Sequence, residues 1–344
     1  MRILLVTQMW PSPEEPDLGS FLVPIRGALA EQGHEVEVAA ISRRGGAQTK
    51  YLRLIREAVA AGRRNRPDVV FAHFLFPAGY AGARAARAAK APLVVMAHGQ
   101  DVANLGRIPG VTAITRHVVK RSAAVIANSR WLAGRLAERI PAAGERTTIA
   151  DCGVDLEAFS PRDAGPARRQ LGWEGDGPAF LCVGSLIERK NVVRLADAFE
   201  SLGHGRLAFV GDGPLRPTLE RRRDVRVVGR IPQAGVPDWI AACDVLCQPS
   251  LVEPFGQAAL EAMAMERGVV ATTVGGPPEF VTPEAGVLVD PEDTAALAGA
   301  LRQAAELPSP NPAARQAAAE HDVRKQAAKM AAVLERAISQ AKRD

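Results

Sequence analysis

Short unbroken runs of apolar residues recur along the chain, and a stretch with helical character follows each of them. Such runs are typical of strands that are buried on both faces, as in a parallel sheet. The first helix is predicted over residues 20–32, because Gly33 is a natural residue to end it. The strands predicted in the first part of the chain lie at 2–7, 35–40, 68–72, 93–97 and 124–127.

The alternation breaks between residues 155 and 178, where prolines and glycines cluster and indicate a connection. Beyond it, strands are predicted at 179–183, 206–210, 225–227, 245–248 and 269–271, and helices at 192–201, 215–223, 237–242 and 257–265. An alanine-rich helical tail begins near residue 293. We therefore expect an α/β protein with two parallel-sheet domains. Ligands of such sheets bind beyond the carboxyl ends of the strands, so the expected active site is the cleft between the domains.

Composition narrows the class of protein. The chain has 344 residues, of which 47% are hydrophobic and 24% charged, as expected of a soluble protein with two domains. Its formal net charge of +5 favours anionic ligands, such as phosphates or an acidic membrane surface. Aromatic residues make up only 5%, too few for the stacking that single-stranded nucleic acid needs, so we expect no nucleic-acid partner. The absence of a long apolar segment and the four irregularly spaced cysteines predict a cytoplasmic protein.

Several common catalytic motifs are missing from the sequence. No Gly-x-Gly-x-x-Gly follows the first strand, and neither a Walker phosphate loop nor Gly-x-Ser-x-Gly occurs, which disfavours dehydrogenases and serine hydrolases. No two aspartates stand two residues apart, so a common metal-bridging arrangement of sugar transferases is also missing. We therefore predict no metal site.

Glycine and positive charge follow the strand at 179–183. Gly184 permits close backbone approach, and Arg189 and Lys190 stand just before a predicted helix. The first N–H groups of a helix favour an anion. Together these features suit a diphosphate that is held without metal.

Two glutamates follow the strand at 245–248, with Glu253 in the loop and Glu261 about one turn into the next helix. Carboxylates accept strong hydrogen bonds from sugar hydroxyls, and one of them could stabilise positive charge at an anomeric carbon. Gly275 and Gly276 follow the strand at 269–271 and again suit close approach to a charged ligand.

Taken in order, these three segments resemble the retaining glycosyltransferases of family 4, which have the GT-B fold. The glutamates Glu253 and Glu261 are similar to that family's pair of glutamates separated by seven residues. The resemblance extends over most of the chain, through Gly19-Ser20-Phe21, His98-Gly99-Gln100-Asp101, Gly153-Val154-Asp155 and Gly211-Asp212-Gly213-Pro214. It implies two Rossmann-like domains that face each other across a cleft. The acceptor domain would span 1–160, the donor domain 161–325, and a helix at 326–344 would cross back to the first domain.

The resemblance also implies roles for individual residues. Lys190 would hold the donor diphosphate, which Gly19 would approach from the opposite domain. Glu261 would bind the ribose hydroxyls, while Glu253 and His98 would contact the donor sugar near the reacting bond; His98, Glu253 and Lys190 are therefore the expected catalytic residues. Further expected donor contacts are Gly184, Ser185 (where the family usually has arginine), Arg189, Phe255, Gly256 and, near the base, Arg230 and Ile231. His73 and Asp101 are expected on the acceptor side.

The implied reaction retains the anomeric configuration and uses neither metal nor cofactor, with a UDP- or GDP-sugar as donor substrate. The acceptor would be a glycan, a lipid or a small molecule. The basic amphipathic stretch 110–121 points to peripheral contact with an anionic membrane at its inner face. Two alternatives stay open: a nucleotide-sugar epimerase of the same architecture, and a non-enzymatic sugar-binding protein.

Overall fold

The computed structural model describes residues 1–343, which form two units. The first unit contains residues 1–153 and 323–343, and the second unit contains Val154–Asp322. The boundaries predicted at 160 and 325 lie a few residues further along the chain than the points where the units change.

The first unit is built on a six-stranded sheet whose strands all run parallel, in the order β2-β1-β3-β4-β5-β6. Its strands are Arg2–Thr7 (β1), Glu35–Ala40 (β2), Val69–His73 (β3), Leu93–Ala97 (β4), Ala124–Ala127 (β5) and Thr147–Ile149 (β6). The helices between them are Leu22–Glu31 (α1), Thr49–Asn65 (α2), Ala78–Ala89 (α3), Gln100–Ala103 (α4), Val111–Arg121 (α5) and Arg130–Arg139 (α6). Thr7 lies beside His73, and His73 beside Met96, so the carboxyl ends of these strands share one edge.

The second unit has its own six-stranded parallel sheet, in the order β12-β11-β10-β7-β8-β9. Its strands are Ala179–Val183 (β7), Arg206–Val210 (β8), Val225–Gly229 (β9), Val245–Gln248 (β10), Gly268–Thr272 (β11) and Gly286–Val289 (β12). Its helices are Ala164–Leu171 (α7), Val192–Glu200 (α8), Arg216–Leu219 (α9), Val236–Ala242 (α10), Gln257–Ala264 (α11), Thr294–Ala305 (α12) and Pro312–Ala319 (α13). The fold class predicted from the sequence, two Rossmann-like parallel-sheet domains, is confirmed.

The last helix, Val323–Ala341 (α14), belongs to the first unit. It covers the same side of the sheet as α1, and its Met330 and Leu334 share a core cluster with Phe71 of β3 and Met96 of β4. Helices α2, α3 and α5 cover the opposite side. Because successive side chains of a strand point to opposite faces, burial on both sides explains the unbroken apolar runs of the central strands.

Two details of the predicted elements were wrong. The segment 155–178, predicted as a connection, contains α7, whose Ala167 lies in the core cluster that also holds Trp173. Its Gly165 and Pro166 suggested a break, yet they stand in the first turn of the helix, where proline costs no hydrogen bond. The helix predicted at 215–223 extends only over Arg216–Leu219.

Helix α5 falls within the basic amphipathic stretch at 110–121. Its Val118 and Val119 are fully buried in the first unit, and Ile114 packs against the same cluster. The apolar side of α5 is therefore used inside the unit, and its basic side faces outward. No helix among residues 1–343 combines the length and apolarity that crossing a bilayer requires.

Candidate functional site

At the carboxyl edge of the second sheet, the loop after β7 packs against the loop after β8. The Gly184 N–H donates to the Val210 carbonyl at 2.9 Å, and the Leu186 N–H donates to the Asp212 carbonyl at 3.0 Å. A Cβ on Gly211 would come within 1.9 Å of the Gly184 carbonyl oxygen. Only glycine at position 211 therefore allows the loops after β7 and β8 to pack against each other.

The loop after β7 is also tied to the loop after β10. Asn191 stands at the start of α8 with a left-handed backbone (φ +58°), a conformation that asparagine tolerates better than most residues. Its buried side-chain amide donates to the carbonyls of Pro249, at 3.0 Å, and Pro291, at 2.7 Å. Asn191 was not among the predicted site residues, since its role depends on partners far away in sequence.

Lys190 and Glu253 form an ion pair between these two loops. The Lys190 Nζ lies 2.6 Å from Glu253 Oε2, to which the Ser250 hydroxyl also donates at 2.9 Å. Only 17% of the Lys190 side chain and 9% of the Glu253 side chain are exposed. Burial raises the pKa of Glu253, but the charge and hydrogen bond of Lys190 outweigh it and hold that pKa below its ordinary value. The carboxylate is therefore ionised at neutral pH.

Arg189 holds the backbone of the loop that carries Glu253. Its guanidinium donates to the Val252 carbonyl at 3.0 Å, and its own carbonyl accepts from the Leu251 N–H at 2.9 Å. Ser185, one residue beyond Gly184, is exposed and uncharged. Lys190 is thus the cation of this segment that contacts Glu253 directly.

Gly275 and Gly276 approach the Glu253 loop closely. A Cβ on Gly275 (φ +130°) would lie 1.9 Å from the Glu253 carbonyl oxygen, and one on Gly276 would lie 2.7 Å from the Pro254 carbonyl oxygen. The Gly276 N–H donates to the Glu253 carbonyl at 2.9 Å. The sequence predicts close approach to a charged ligand here, and the close approach that the structure shows is to the backbone of the Glu253 loop.

Glu261 is buried in α11, which begins after Gly256. The side-chain amides of Gln233 and Gln257 reach its Oε1 at 3.4 and 3.5 Å, which are long hydrogen bonds. Burial raises the pKa of Glu261 to about 8, and these weak donors do not offset it. The carboxyl group is therefore largely protonated at neutral pH.

Gln233 comes from the loop after β9, which also carries Arg230 and Ile231. Ile231 packs against the core of the second unit, while Arg230 is exposed. Gln233 was missed in the sequence, where its only signal is a polar residue that follows a strand. Phe255, just before Gly256, buries its ring against Phe280, with centroids 5.4 Å apart.

In the first unit, Asp101 organises the loop that follows β4. Its Oδ1 accepts the backbone N–H groups of His98, Gly99 and Val102, and its Oδ2 accepts that of Leu75 at 2.8 Å. Asp101 is only 3% exposed, and burial raises its pKa against the effect of these four donors. Its carboxylate therefore holds the backbone around His98.

His73, at the end of β3, contacts the ring of His98 on the side of the sheet. The His73 Nδ1 lies 3.0 Å from His98 Nε2, and His98 Nδ1 lies 3.8 Å from the Cys152 sulfur. His73 is fully buried, and its Nε2 has no hydrogen-bond partner among the described residues. Burial lowers the pKa of His98 to about 3 and that of His73 well below its ordinary value, so both rings are neutral at neutral pH. The His73 side chain reaches a ligand only through His98.

Gly19 lies in the same part of the first unit. It has φ +67°, and a Cβ at this position would come within 2.5 Å of the Met9 carbonyl oxygen. The ring of Phe21, two residues later, is 5.3 Å from that of His98. The first unit thus brings Gly19, His73, His98 and Asp101 to the carboxyl edge of its sheet, and the second unit brings the segments after β7, β10 and β11 to the corresponding edge of its own.

No group of three or more His, Cys, Asp or Glu side chains that could hold a metal ion occurs within residues 1–343. The four cysteines are free and buried. The polar groups that the two carboxyl edges offer a ligand include the ion pair, the glutamate on α11 and His98.

Solved structures place this architecture among known folds. HepE of Anabaena, in a crystal structure with UDP-glucose, is 23% identical, covers 97% of this chain and 99% of its own, and has a TM-score of 0.76. The two Rossmann-like units thus define a fold of the GT-B class, which glycosyltransferases use.

Sequence comparisons define the family. The model described as "Glycosyltransferase Family 4" matches residues 20–158, and the model "Glycosyl transferases group 1" matches residues 177–306. A D-inositol 3-phosphate glycosyltransferase of Catenulispora acidiphila is 32% identical over an alignment of 284 positions, which covers 74% of this chain and 68% of that protein. The chain belongs to glycosyltransferase family 4, as the sequence motifs suggested.

A second relative is TuaC of Bacillus subtilis, whose name assigns it provisionally to teichuronic acid biosynthesis as a glycosyltransferase. It is 30% identical over 256 residues, which are 72% of this chain and 65% of TuaC. The chain thus spans about two thirds of the length of the curated relatives described here.

Proposed function

We propose that the chain is an enzyme that transfers a sugar from a UDP- or GDP-sugar to an acceptor hydroxyl and retains the anomeric configuration. The observation that best supports this is the Lys190–Glu253 ion pair at the carboxyl end of a parallel sheet, where α/β domains bind ligands. It combines a cation suited to a diphosphate with an ionised carboxylate suited to sugar hydroxyls. Membership of family 4 favours this function over the epimerase and the sugar-binding protein.

Donor binding uses the second unit. Lys190 has three N–H donors, of which Glu253 takes one, so the ammonium group is able to bind diphosphate oxygens as well. Glu261 accepts the ribose hydroxyls, and the base rests beside Arg230 and Ile231. The UDP-glucose bound in the HepE structure supports a uridine nucleotide as the first donor to test.

In the proposed reaction, the bond from the anomeric carbon to the leaving diphosphate oxygen breaks, and a bond to the acceptor oxygen forms on the same face. The acceptor proton passes to the leaving diphosphate. Lys190 stabilises the charge of the leaving group, and Glu253 stabilises the positive charge that develops on the sugar. The step needs no metal and no cofactor.

The first unit supplies the acceptor side. His98, a neutral ring at neutral pH, contacts the donor sugar near the reacting bond, and Gly19 lets the backbone approach the diphosphate. His73 and Asp101 contribute by holding His98. The names of the relatives support a polysaccharide or a small phosphorylated polyol as acceptor. Peripheral membrane contact would use the basic side of α5, because the apolar side is buried.

Donor binding tests the site. Calorimetry with UDP and GDP on the full chain is expected to show binding that Lys190→Ala weakens by roughly thirtyfold, because a hydrogen bond between charged groups contributes about 2 kcal/mol. Glu188→Ala is the matched control, since Glu188 is exposed in the same turn and is expected to leave the affinity unchanged. Equal affinity of the wild-type protein and Lys190→Ala would exclude this site.

Turnover tests the reaction. With a panel of nucleotide sugars and acceptors, NMR of the product is expected to show the anomeric configuration of the donor, and activity is expected to survive excess chelator. A product with the opposite anomeric configuration would contradict retention. Complete loss of activity in excess chelator would contradict the metal-free scheme. Conversion of the donor sugar into another sugar without any acceptor would instead favour an epimerase. Tight binding of a free sugar, with no affinity for nucleotide, would favour a sugar-binding protein.

A further inference from the structure

A cavity of about 690 Å³ lies in the first unit, at the edge of the sheet opposite to His98. It is bounded by α3, α5, the end of α14 and the segments that lead into β4, β5 and β6. Leu93, which opens β4, lines it, whereas His98 follows the other end of that strand. Since a strand rises about 3.3 Å per residue, roughly 13 Å of β4 separates the cavity from the His98 edge. The cavity is therefore distinct from the proposed sugar site.

The side chains around the cavity carry strong positive charge. Five cations line it, together with His117, and no Asp or Glu lines it in the part of the chain that the structure describes. The five are Arg84, Arg87, Lys90, Arg121 and Arg146. Among residues 1–343, none of them forms an ion pair with a carboxylate. Like charges that converge without a counter-charge repel one another, so the arrangement favours a bound anion.

Helix ends explain only part of this charge. Arg87 and Arg121 stand in the last turns of α3 and α5, where cations offset the negative end of a helix. Arg84 lies one turn earlier and Arg146 comes from another element. The Arg146 Nη1 donates to the Ser122 carbonyl at 3.1 Å, which fixes this guanidinium at the rim of the cavity. Cations from three separate elements converge at the cavity, which is more positive charge than capping of the helix ends requires.

The size and the remaining lining indicate what kind of anion fits. The volume lies within the range of about 300–1,000 Å³ that is usual for small-molecule sites and is far larger than a single ion needs. Tyr80, Pro92, Leu93 and Ala337 add apolar surface beside the cations, which suits a ligand with a carbon part. Guanidinium groups bind phosphate oxygens in pairs.

We propose that this cavity is a second anion site, which binds a molecule of nucleotide size that carries a phosphate group. The phosphate lies among Arg84, Arg87, Lys90, Arg121 and Arg146, and the carbon part lies against Tyr80 and Leu93. A soluble phosphorylated compound and a phospholipid headgroup share this chemistry. The site is independent of the donor site, whose residues all lie in the second unit or at the opposite edge of the first sheet.

Calorimetry with inorganic pyrophosphate tests the site in the full chain. The Lys190→Ala background removes the cation that holds the donor diphosphate, so the remaining binding reports the cavity. Replacing Arg87 and Arg121 together with alanine is expected to weaken that binding at least about tenfold, because two charged contacts are lost. The matched control replaces Arg56 and Arg63, which are exposed on α2 outside the cavity, and is expected to change the affinity less than about twofold.

Vesicles distinguish the two sources of phosphate. The same variants are sedimented with vesicles of phosphatidylcholine alone and with vesicles that also contain phosphatidylglycerol. If a headgroup occupies the cavity, only the Arg87/Arg121 variant is expected to lose vesicle binding. Lys90→Glu, a single exposed substitution, repeats the test should the double variant fold poorly. Specific loss with either probe supports the site. Equal loss in the Arg56/Arg63 control, or binding of neither probe by the Lys190→Ala protein, overturns it.

Discussion

Glu261 is a buried carboxyl group whose surroundings favour its neutral form. Burial raises its pKa from an ordinary 4.5 to about 8, so between these values the folded protein keeps a proton that the unfolded chain loses. The resulting stabilisation is complete below about pH 4.5 and is lost as the pH rises through about 8. At higher pH, the folded protein carries a buried carboxylate that has only long hydrogen bonds.

Glu261→Gln is therefore expected to flatten the pH dependence of unfolding. At about pH 9 the variant should exceed the wild-type protein in unfolding free energy by on the order of 2 kcal/mol, and at about pH 4 the two should agree. Urea unfolding followed by tryptophan fluorescence measures both values. Parallel pH profiles for the two proteins would show that Glu261 is ionised in the folded state.

His73 is expected to act through the ring of His98. His73→Phe removes the hydrogen bond to His98 Nε2 and should lower kcat about fivefold with little change in KM for the donor, because a hydrogen bond contributes about 1 kcal/mol. His73→Asn places a polar atom near the position of Nδ1 and is expected to restore most of the activity. If both variants lose activity equally, the ring acts through packing rather than through the hydrogen bond.

At the scale of single residues, the sequence identifies the charged residues of the site more readily than it identifies the residues that contact them. Lys190 and Glu253 could be identified because each follows a buried strand and carries the charge that a sugar nucleotide requires. Ser250 and Gln233 could not, because their contacts with the glutamates depend on how separate loops meet. Asp101 illustrates a different limit, since spacing alone does not show that four backbone N–H groups occupy its carboxylate.

Among the elements, the loop after β11 depends on a glycine that carries no chemistry. A Cβ at Gly275 would collide with the Glu253 carbonyl, and its φ of +130° is unfavourable for other residues. Gly275→Ala is therefore expected to destabilise the second unit by about 2 kcal/mol or more and to weaken UDP binding, because the Glu253 loop must shift.

Gly299→Ala is the matched control for this substitution. Gly299 lies within α12, and no neighbouring atom lies within 4 Å of the position that a Cβ would take there. Alanine is therefore expected to stabilise the helix by about 1 kcal/mol. Chemical unfolding and UDP calorimetry of both variants separate the two effects. A Gly275→Ala protein as stable as the wild type would show that the loop adapts freely.

Ten of the twelve strands among residues 1–343 were predicted from the sequence, including the edge strand β2 with its observed bounds. Strands β4, β5, β7, β8 and β10 have the predicted bounds, because burial on both faces leaves an unbroken apolar run. Strands β6 and β12 stand at the edges of their sheets and were not predicted. Thr147, Thr148 and Ile149 of β6 are all half-buried, so no apolar run marks that strand. Strand β6 therefore takes its conformation from its neighbour β5 more than from its own residues.

At the scale of the whole molecule, a nucleotide that binds the second unit should stabilise that unit. At a UDP concentration about a hundredfold above Kd, the expected gain is about 2.7 kcal/mol. Trp173 and Trp239 report on the second unit once Trp10 and Trp131 of the first are replaced by phenylalanine. Their thermal transition is expected to rise with UDP, and to rise much less in the Lys190→Ala variant, where a roughly thirtyfold weaker affinity leaves a gain of about 0.9 kcal/mol. If UDP leaves the transition temperature of the protein with Lys190 in place unchanged, donor binding to the second unit is contradicted.

Helix α14 gives the chain an unusual order of assembly. Residues 323–341 leave the ribosome after the whole of the second unit, yet they complete the core of the first. Until then, the side of the first sheet around Phe71 and Met96 lacks one of its two covering helices. The unit that begins synthesis first thus cannot complete its core until translation of the second unit has ended, and until then it exposes apolar surface of the kind that chaperones bind.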